Sequence, residues 1–442
     1  MKTAAARGAV VALAFALALV PGGSHASTIA VAGGGWSWFG DPRAVVSGDN
    51  LFVGWITSNG NVEVGRMNLV TGGWAQARLR GPINIDDHSN PSLVLLPDGR
   101  VAAFYSPHSG RLTSGSEMWY RVARKPGGVV AWEPERHVPV NTKGPLGYTY
   151  PNPLWAGGKL YLFWRGADWN PAFSRTSDLV SWAPARELLR GVTGQRPYIK
   201  FDSYGSSIRF VYTGAHPDSR KTSLYFAELD GKYVRAAGGH RIASRSRLPF
   251  DYRRGQLIYS WHTAGSAWGW DIAHDAAGNP VVVYTTIQSP IHHTYRYARW
   301  TGHGWYDRAL VVAGPSIDHD PGYSGGITLD HSDPDVVYLS RFVDGHFEIE
   351  RWQTHDQGHT WDTTPITADS TRDNLRPFVP RGTTGDRVLL WTWGRYNRFQ
   401  DFSDLVVMLR TQLPPPAQSH WHLHRSPPAA QATSRSLPVS TS

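Results

Sequence analysis

Seven times between residues 44 and 391 the chain repeats one short pattern: a strand, a tight turn rich in Gly and Asp, and a second strand of four to six apolar residues. The copies are Ala44–Ile56, Ser92–Tyr105, Leu154–Trp164, Tyr198–Tyr212, Asp271–Tyr284, Ile327–Leu339 and Phe378–Trp391. Starts about 50 to 70 residues apart leave room for two further strands per copy, and a hairpin repeat of that length is one four-stranded blade. Seven such units predict an all-β chain: a seven-bladed β-propeller of four-stranded antiparallel blades over residues 27–410. Composition agrees. Gly 46, Pro 31 and Trp 20 in 442 residues, with no long amphipathic helical period, suit a turn-rich β protein. Cysteine is absent, so the core alone must hold the fold, which a chain this long can do.

The two ends read differently. Lys2 and Arg7 precede an unbroken apolar run from Ala9 to Val20, then Pro21-Gly-Gly23 and the small-x-small triplet Ser24-His25-Ala26. This is the pattern of a secretory signal peptide over residues 1–26, and the run is too short to span a bilayer. The expectation is a secreted, extracellular protein with no membrane contact. Residues 411–442 are rich in Pro, Ser, Ala and Thr, contain no acidic residue, and read as a disordered tail in which His420, His422 and His424 have metal-ligand spacing. Of the formal charge of +9, four positive charges lie in these end segments, leaving +5 on the folded part. That excess favours an acidic partner, but without a Lys/Arg cluster it does not point to nucleic acid. No heptad or exposed apolar helix suggests assembly, so a monomer is expected.

Thr354-x-Asp356-x-Gly358-x-Thr360-Trp361 fits the Asp-box, or BNR, motif, and Thr176-x-Asp178 with Ser181-Trp182 is a degenerate copy. Such boxes are structural hairpins at a propeller's rim, where the Asp bonds turn backbone and the Trp packs between sheets. The chemistry must come from elsewhere. In an antiparallel hairpin the residue entering the first strand and the one leaving the second share an end. Seven inner hairpins therefore present paired side chains to one central pocket. The second repeat offers His88, from Asp86-Asp-His-Ser-Asn-Pro91, and His108. The third offers Tyr148, Tyr150 and Arg165, and the fourth Arg196 and His216. Aligning the two Asn-Pro pairs sets Tyr150 where His88 stands. Later repeats add Trp268, Trp270, His292, His293, Tyr323, Arg341, Arg376 and Arg395, with His292-His293 read as a solvated loop. A pocket of His, Tyr, Arg and Trp with few carboxylates suits a sugar acid, with Arg on the carboxylate and Trp stacked on the ring.

The leader, the Asp-box, seven blades, Asp-Asp-His-x-Asn-Pro and then a His, a Tyr and an Arg resemble the BNR-repeat polysaccharide lyases over roughly residues 36–409. That group includes ulvan lyases and lyases of rhamnosyl-glucuronate linkages, with a related branch of rhamnosyl-glucuronate hydrolases. The resemblance implies β-elimination in an acidic polysaccharide or oligosaccharide. His88, His108, Tyr150 and Arg165 would be catalytic, and Asn90, Tyr148, Arg196, His216 and Trp270 would bind substrate. Arg165, with Arg196, would neutralise the uronate carboxylate. His88 or Tyr150 would take the C5 proton, and His108 or the same tyrosine would protonate the leaving oxygen. No cofactor is required, although the family carries a structural calcium or zinc ion, and His88, His108 and His216 are an alternative zinc set. Three rivals stand beside this reading. A sialidase needs an Arg-Ile-Pro start that does not occur here. A hydrolase needs two carboxylates, for which Asp86 and Asp87 are the candidates. A lectin-like propeller needs no His/Tyr pair.

Overall fold

The computed structural model describes residues 26–108, 118–139, 148–317 and 322–411, and the leader and the His-containing tail fall outside them. All seven expected hairpins are present, each as the two leading strands of its own sheet. The first blade runs Ala44–Ser47, Asn50–Ile56, Val62–Asn68 and Trp74–Arg80 in plain antiparallel order. Its second strand is buried on both faces from Leu51 to Ile56. Inner propeller strands are packed between neighbouring blades, so they read as continuous apolar runs rather than alternating ones. Outer strands lose that pressure, and Asp362–Pro365 of the sixth blade is exposed throughout.

The fourth blade departs from the expected four strands. Beyond Tyr233–Arg235 it adds Arg241–Ser244, and Gln256–Tyr259 pairs with its third strand. The seventh blade is closed by the start of the chain: Ala26–Gly33 pairs with Asp401–Thr411, Ala26 lying opposite Thr411. This strand begins at the residue where the expected leader ends. The full Asp-box lies between the third and fourth strands of the sixth blade. There Asp356 accepts from Thr360 N–H at 2.8 Å, and Trp361 packs edge-on to Tyr297. The degenerate copy holds the same place in the third blade, with Asp178 accepting from the N–H groups of Val180 and Ser181.

After the closing strand the chain does not go straight to the first blade. Residues 36–43 run through the centre of the ring, nearly all buried, and most blades grip them. Asn90 of the second blade accepts from Ser37 N–H at 3.1 Å, and Asn152 of the third donates to Phe39 C=O at 3.0 Å. Lys200 of the fourth pairs with Asp41. Trp270 of the fifth stacks on Trp38 at 4.0 Å, and Arg376 of the seventh donates to Trp36 C=O at 2.5 Å. This plug is the floor of the central site.

Candidate active site

The candidate site lies at the end where inner hairpins enter and leave. Asp86 caps the short turn Asp87–Ser89, its Oδ1 accepting from His88 N–H at 2.9 Å. The same oxygen meets His88 Nδ1 at 2.8 Å, while Oδ2 meets His108 Nδ1 at 2.8 Å. One buried carboxylate therefore holds two imidazoles, whose rings stack 4.4 Å apart and 8° from parallel. Asp87 Oδ1 also lies 2.7 Å from His88 Nδ1, outside hydrogen-bonding geometry, so it acts there as a charge and not as an acceptor. Asp87 is itself fixed by Arg376 and by Tyr396, whose hydroxyl donates to Oδ2 at 2.9 Å.

The far nitrogens each meet a tyrosine. His108 Nε2 lies 3.0 Å from Tyr150 OH, and His88 Nε2 lies 3.2 Å from Tyr323 OH. Tyr150 sits in an irregularity of its strand with φ +58°, a conformation costly for any side chain but Gly, and the distortion aims its ring inward. Behind Tyr150, the Arg165 guanidinium lies 4.5 Å from the ring centre and donates through Nη1 to Tyr198 OH at 3.1 Å. Its Nε and Nη2 are buried with no partner, and no carboxylate pairs with it among the described residues. Phe39 of the plug packs beneath His88, Tyr150 and Tyr198.

These surroundings drive the two histidines apart. Burial alone would lower His88, but the Asp87 and Asp86 charges outweigh it and raise its pKa to about 9. His108 is also buried, and with His88 charged beside it the single Asp86 contact does not compensate, so it falls to about 4. At neutral pH His88 is an imidazolium and His108 a neutral ring. Burial, then the charges of Arg196 and Arg165, push His216 well below the ordinary histidine range.

A cavity of about 170 Å³ opens above, lined by His108, Arg196, Tyr198, His216, Asp218, Ser219, Tyr323 and Phe399. A larger one of about 350 Å³ lies on the seventh blade, and none of the tyrosine–histidine pairs borders it. The structure thus brings His88, His108, Tyr150 and Arg165 together, with Arg196 and His216 on the cavity wall. It does not bring the other three expected substrate contacts there. The Asn90 amide is used up on Ser37, Gly40 and Pro91 backbone and on the Ser37 hydroxyl. Tyr148 turns into the core against Trp164 and donates to Pro139 C=O. Trp270 is covered by Trp38. His293 is not on a solvated loop but buried in a strand, 2.8 Å from Ser324 Oγ. Asp218 and Phe399 were not anticipated, because no hairpin end selects them, and at the entry of the fourth hairpin the reading took Arg196 and passed over Tyr198.

The metal expectation can be tested on the donors themselves. Asp86, His88 and His108 offer ligand atoms within 4.8 Å of one another. Yet each ring nitrogen already touches an Asp86 oxygen at 2.8 Å, a direct N–H···O contact. Ligands bonded at about 2.0–2.1 Å to a tetrahedral zinc lie farther apart, and calcium takes six to eight oxygens. This set fits neither ion. His216 lies outside it, its Nδ1 accepting from Asp218 N–H at 3.2 Å.

The sequence matches, over residues 50–312, the family described as BNR repeat-containing family member. Solved structures of similar fold include a polysaccharide lyase PL25 ulvan lyase bound to -[GlcA(1-4)Rha3S]-, with TM-score 0.66, 16% identity, and coverage of 87% of this chain and 96% of that one. A PL25 ulvan lyase structure with TM-score 0.67 and 17% identity has the same coverage. The polysaccharide lyase Uly1 gives TM-score 0.53, 14% identity, and coverage of 84% and 90%. No curated protein matches the chain.

Proposed function

On the premise that this chain belongs to the BNR repeat-containing family, we propose that it is an exported polysaccharide lyase. Its reaction is the cleavage of a glycosidic bond at a uronate, in a rhamnosyl-glucuronate or ulvan-like polymer, by β-elimination. One observation carries this reading: the site pairs a tyrosine–histidine base with an uncompensated guanidinium and offers no pair of free carboxylates. Asp86 and Asp87 are committed to histidines and Arg376, and Asp218 is the one carboxylate on the cavity wall. Both hydrolytic routes need two carboxyl groups beside the sugar. Elimination needs instead a cation for the uronate carboxylate and a base for the C5 proton. Arg196 at the wall, with Arg165 behind it, supplies the first. Tyr150 bonded to His108 supplies the second. The ulvan lyase of similar fold, bound to a glucuronate–rhamnose sulfate unit, supports the substrate class. The apolar leader supports export, and the protein acts as a monomer without a catalytic metal.

The test is ultraviolet absorbance during incubation with ulvan and other uronate polymers. A growing band from the unsaturated uronate is expected, lost in Tyr150→Phe. Reducing ends or free rhamnose without that band would refute elimination in favour of hydrolysis. Retention on a polymer column with no product would leave a binding propeller.

A further inference from the structure

We propose that Tyr323 is the general acid of this reaction, giving its phenolic proton to the glycosidic oxygen as that oxygen leaves C4 and drawing a replacement from His88. The proposal rests on the elimination reading and adds to it a residue and a direction for each proton.

The hydrogen-bond network fixes which tyrosine gives and which takes. His88 Nδ1 faces Asp86 and Asp87 together, so the ring keeps a proton there and stays charged. An imidazolium donates from both nitrogens. Nε2–H therefore donates to the Tyr323 oxygen at 3.2 Å, and the tyrosine's own hydrogen must turn elsewhere. Trp38, Phe39 and Trp268 surround its ring and offer no strong acceptor. The remaining side is the cavity, whose wall Tyr323 forms.

His108 is set the other way. Its Nδ1–H donates to Asp86 Oδ2, so Nε2 has a lone pair and accepts from Tyr150 O–H at 3.0 Å. The Tyr150 oxygen keeps a lone pair beside His108, which forms part of the cavity wall. Two tyrosine–histidine pairs thus hang from one carboxylate, one arranged to release a proton and the other to receive one. Environments that push paired groups apart are how one site holds an acid and a base at the same pH.

The step balances. The C5–H bond breaks and its proton passes to Tyr150 oxygen as the phenol's hydrogen moves to His108 Nε2. The bonding pair forms the C4–C5 double bond, the C4–O bond breaks, and the leaving oxygen takes the Tyr323 proton while His88 Nε2–H refills the phenol. One proton has moved from carbon to oxygen, and exchange with water returns both histidines to their starting states.

The experiment compares two substrates in Tyr323→Phe, which keeps the ring. One is the uronate polymer, whose alkoxide leaving group needs a proton. The other is a glucuronide with fluoride at C4, which leaves without one. The variant should lose about 10²-fold or more in kcat on the polymer, with KM little changed, and stay near wild type on the fluoride. Tyr150→Phe should lose both. Equal loss on the two substrates would make Tyr323 structural, and full activity on the polymer would remove it from the reaction; either overturns the proposal. A wild type that releases no unsaturated product from either substrate overturns the elimination reading instead, and the proposal falls with it. Nitrogen-15 spectra of the unmutated protein give a check that needs no variant. At pH 7 the ring facing Asp86, Asp87, Tyr323 and the stacked His108, with Arg376 behind Asp87, should be doubly protonated. A neutral His88 would also overturn the proposal.

Discussion

Two arginines in this propeller are almost equally buried, Arg165 at 4% exposure and Arg376 at 1%, yet replacing each with methionine should cost stability only at Arg376. Arg376 is compensated: it pairs with Asp87 and donates to Trp36 C=O and to Tyr396 OH. Removing it strands a buried carboxylate, which costs about 3–5 kcal/mol. Unfolding entropy near 2.1 cal/mol/K per residue over roughly 380 residues converts about 4 kcal/mol into a Tm drop of about 5 °C. Arg165 makes one hydrogen bond, to Tyr198, and two close ring contacts, with Tyr150 and Trp169, while two of its N–H groups have no acceptor. Each buried unsatisfied donor costs about 1–3 kcal/mol and a charged hydrogen bond returns about 1.5–3; the two ring contacts add about 1 each. Taking central values, these nearly cancel, and Arg165→Met comes out within about 1 kcal/mol of wild type in stability, with activity lost. The assay is thermal and denaturant unfolding of both variants beside the wild type. The two should differ by about 4 kcal/mol. If Arg165→Met unfolds as early as Arg376→Met, the open guanidinium is a structural brace and not a vacant anion site, and the reasoning fails.

The pH dependence of kcat/KM should be bell-shaped, with an acid limb near 4, where His108 becomes protonated and can no longer accept, and an alkaline limb near 9, where His88 loses its charge. Because His88 is raised above its ordinary 6.5, the stability it contributes is complete below that pH and fades as pH rises through about 9. Denaturant midpoints across that range check this, and no alkaline loss would contradict it. Asp356→Ala, in the rim Asp-box, removes the acceptor for both Thr360 N–H and its hydroxyl. It should lower Tm and leave kcat/KM unchanged, since the box is far from the reacting atoms; a fall in kcat/KM without a fall in Tm would argue otherwise.

The inner hairpins were readable from sequence because burial on both faces forces continuous apolar runs, as at Leu51–Ile56. Outer strands such as Asp362–Pro365 carry no such signal. The closing strand was hidden because Ala26–Gly33 belongs to no repeat and abuts the expected leader. The plug was hidden because it belongs to no repeat. At the site, the ends of hairpins pointed to His88, His108, Tyr150 and Arg165, which the structure gathers into one cluster. The same rule misplaced Tyr148 and Trp270, since strand irregularities at Tyr150 and between Gly269 and Asp271 decide which side chain turns inward. The role of Asp86 was out of reach for a different reason. Its two oxygens serve rings twenty residues apart in sequence, and only the folded turn shows that one carboxylate can reach both.

The closing strand and the plug are adjacent stretches near the start of the propeller, and each keeps a contact with its seventh blade. Ala26 needs Thr411, and Trp36 needs Arg376. Contacts this distant along the chain form slowly, because the whole intervening loop must be ordered before they repay it. A growing chain with six finished blades therefore lacks a sealed ring, and its plug, though Phe39 can already pack on His88, Tyr150 and Tyr198, still lacks the Arg376 contact to Trp36. The seam of the ring is thus the last piece to close: Ala26–Gly33 finds its partner only when Asp401–Thr411 has been made.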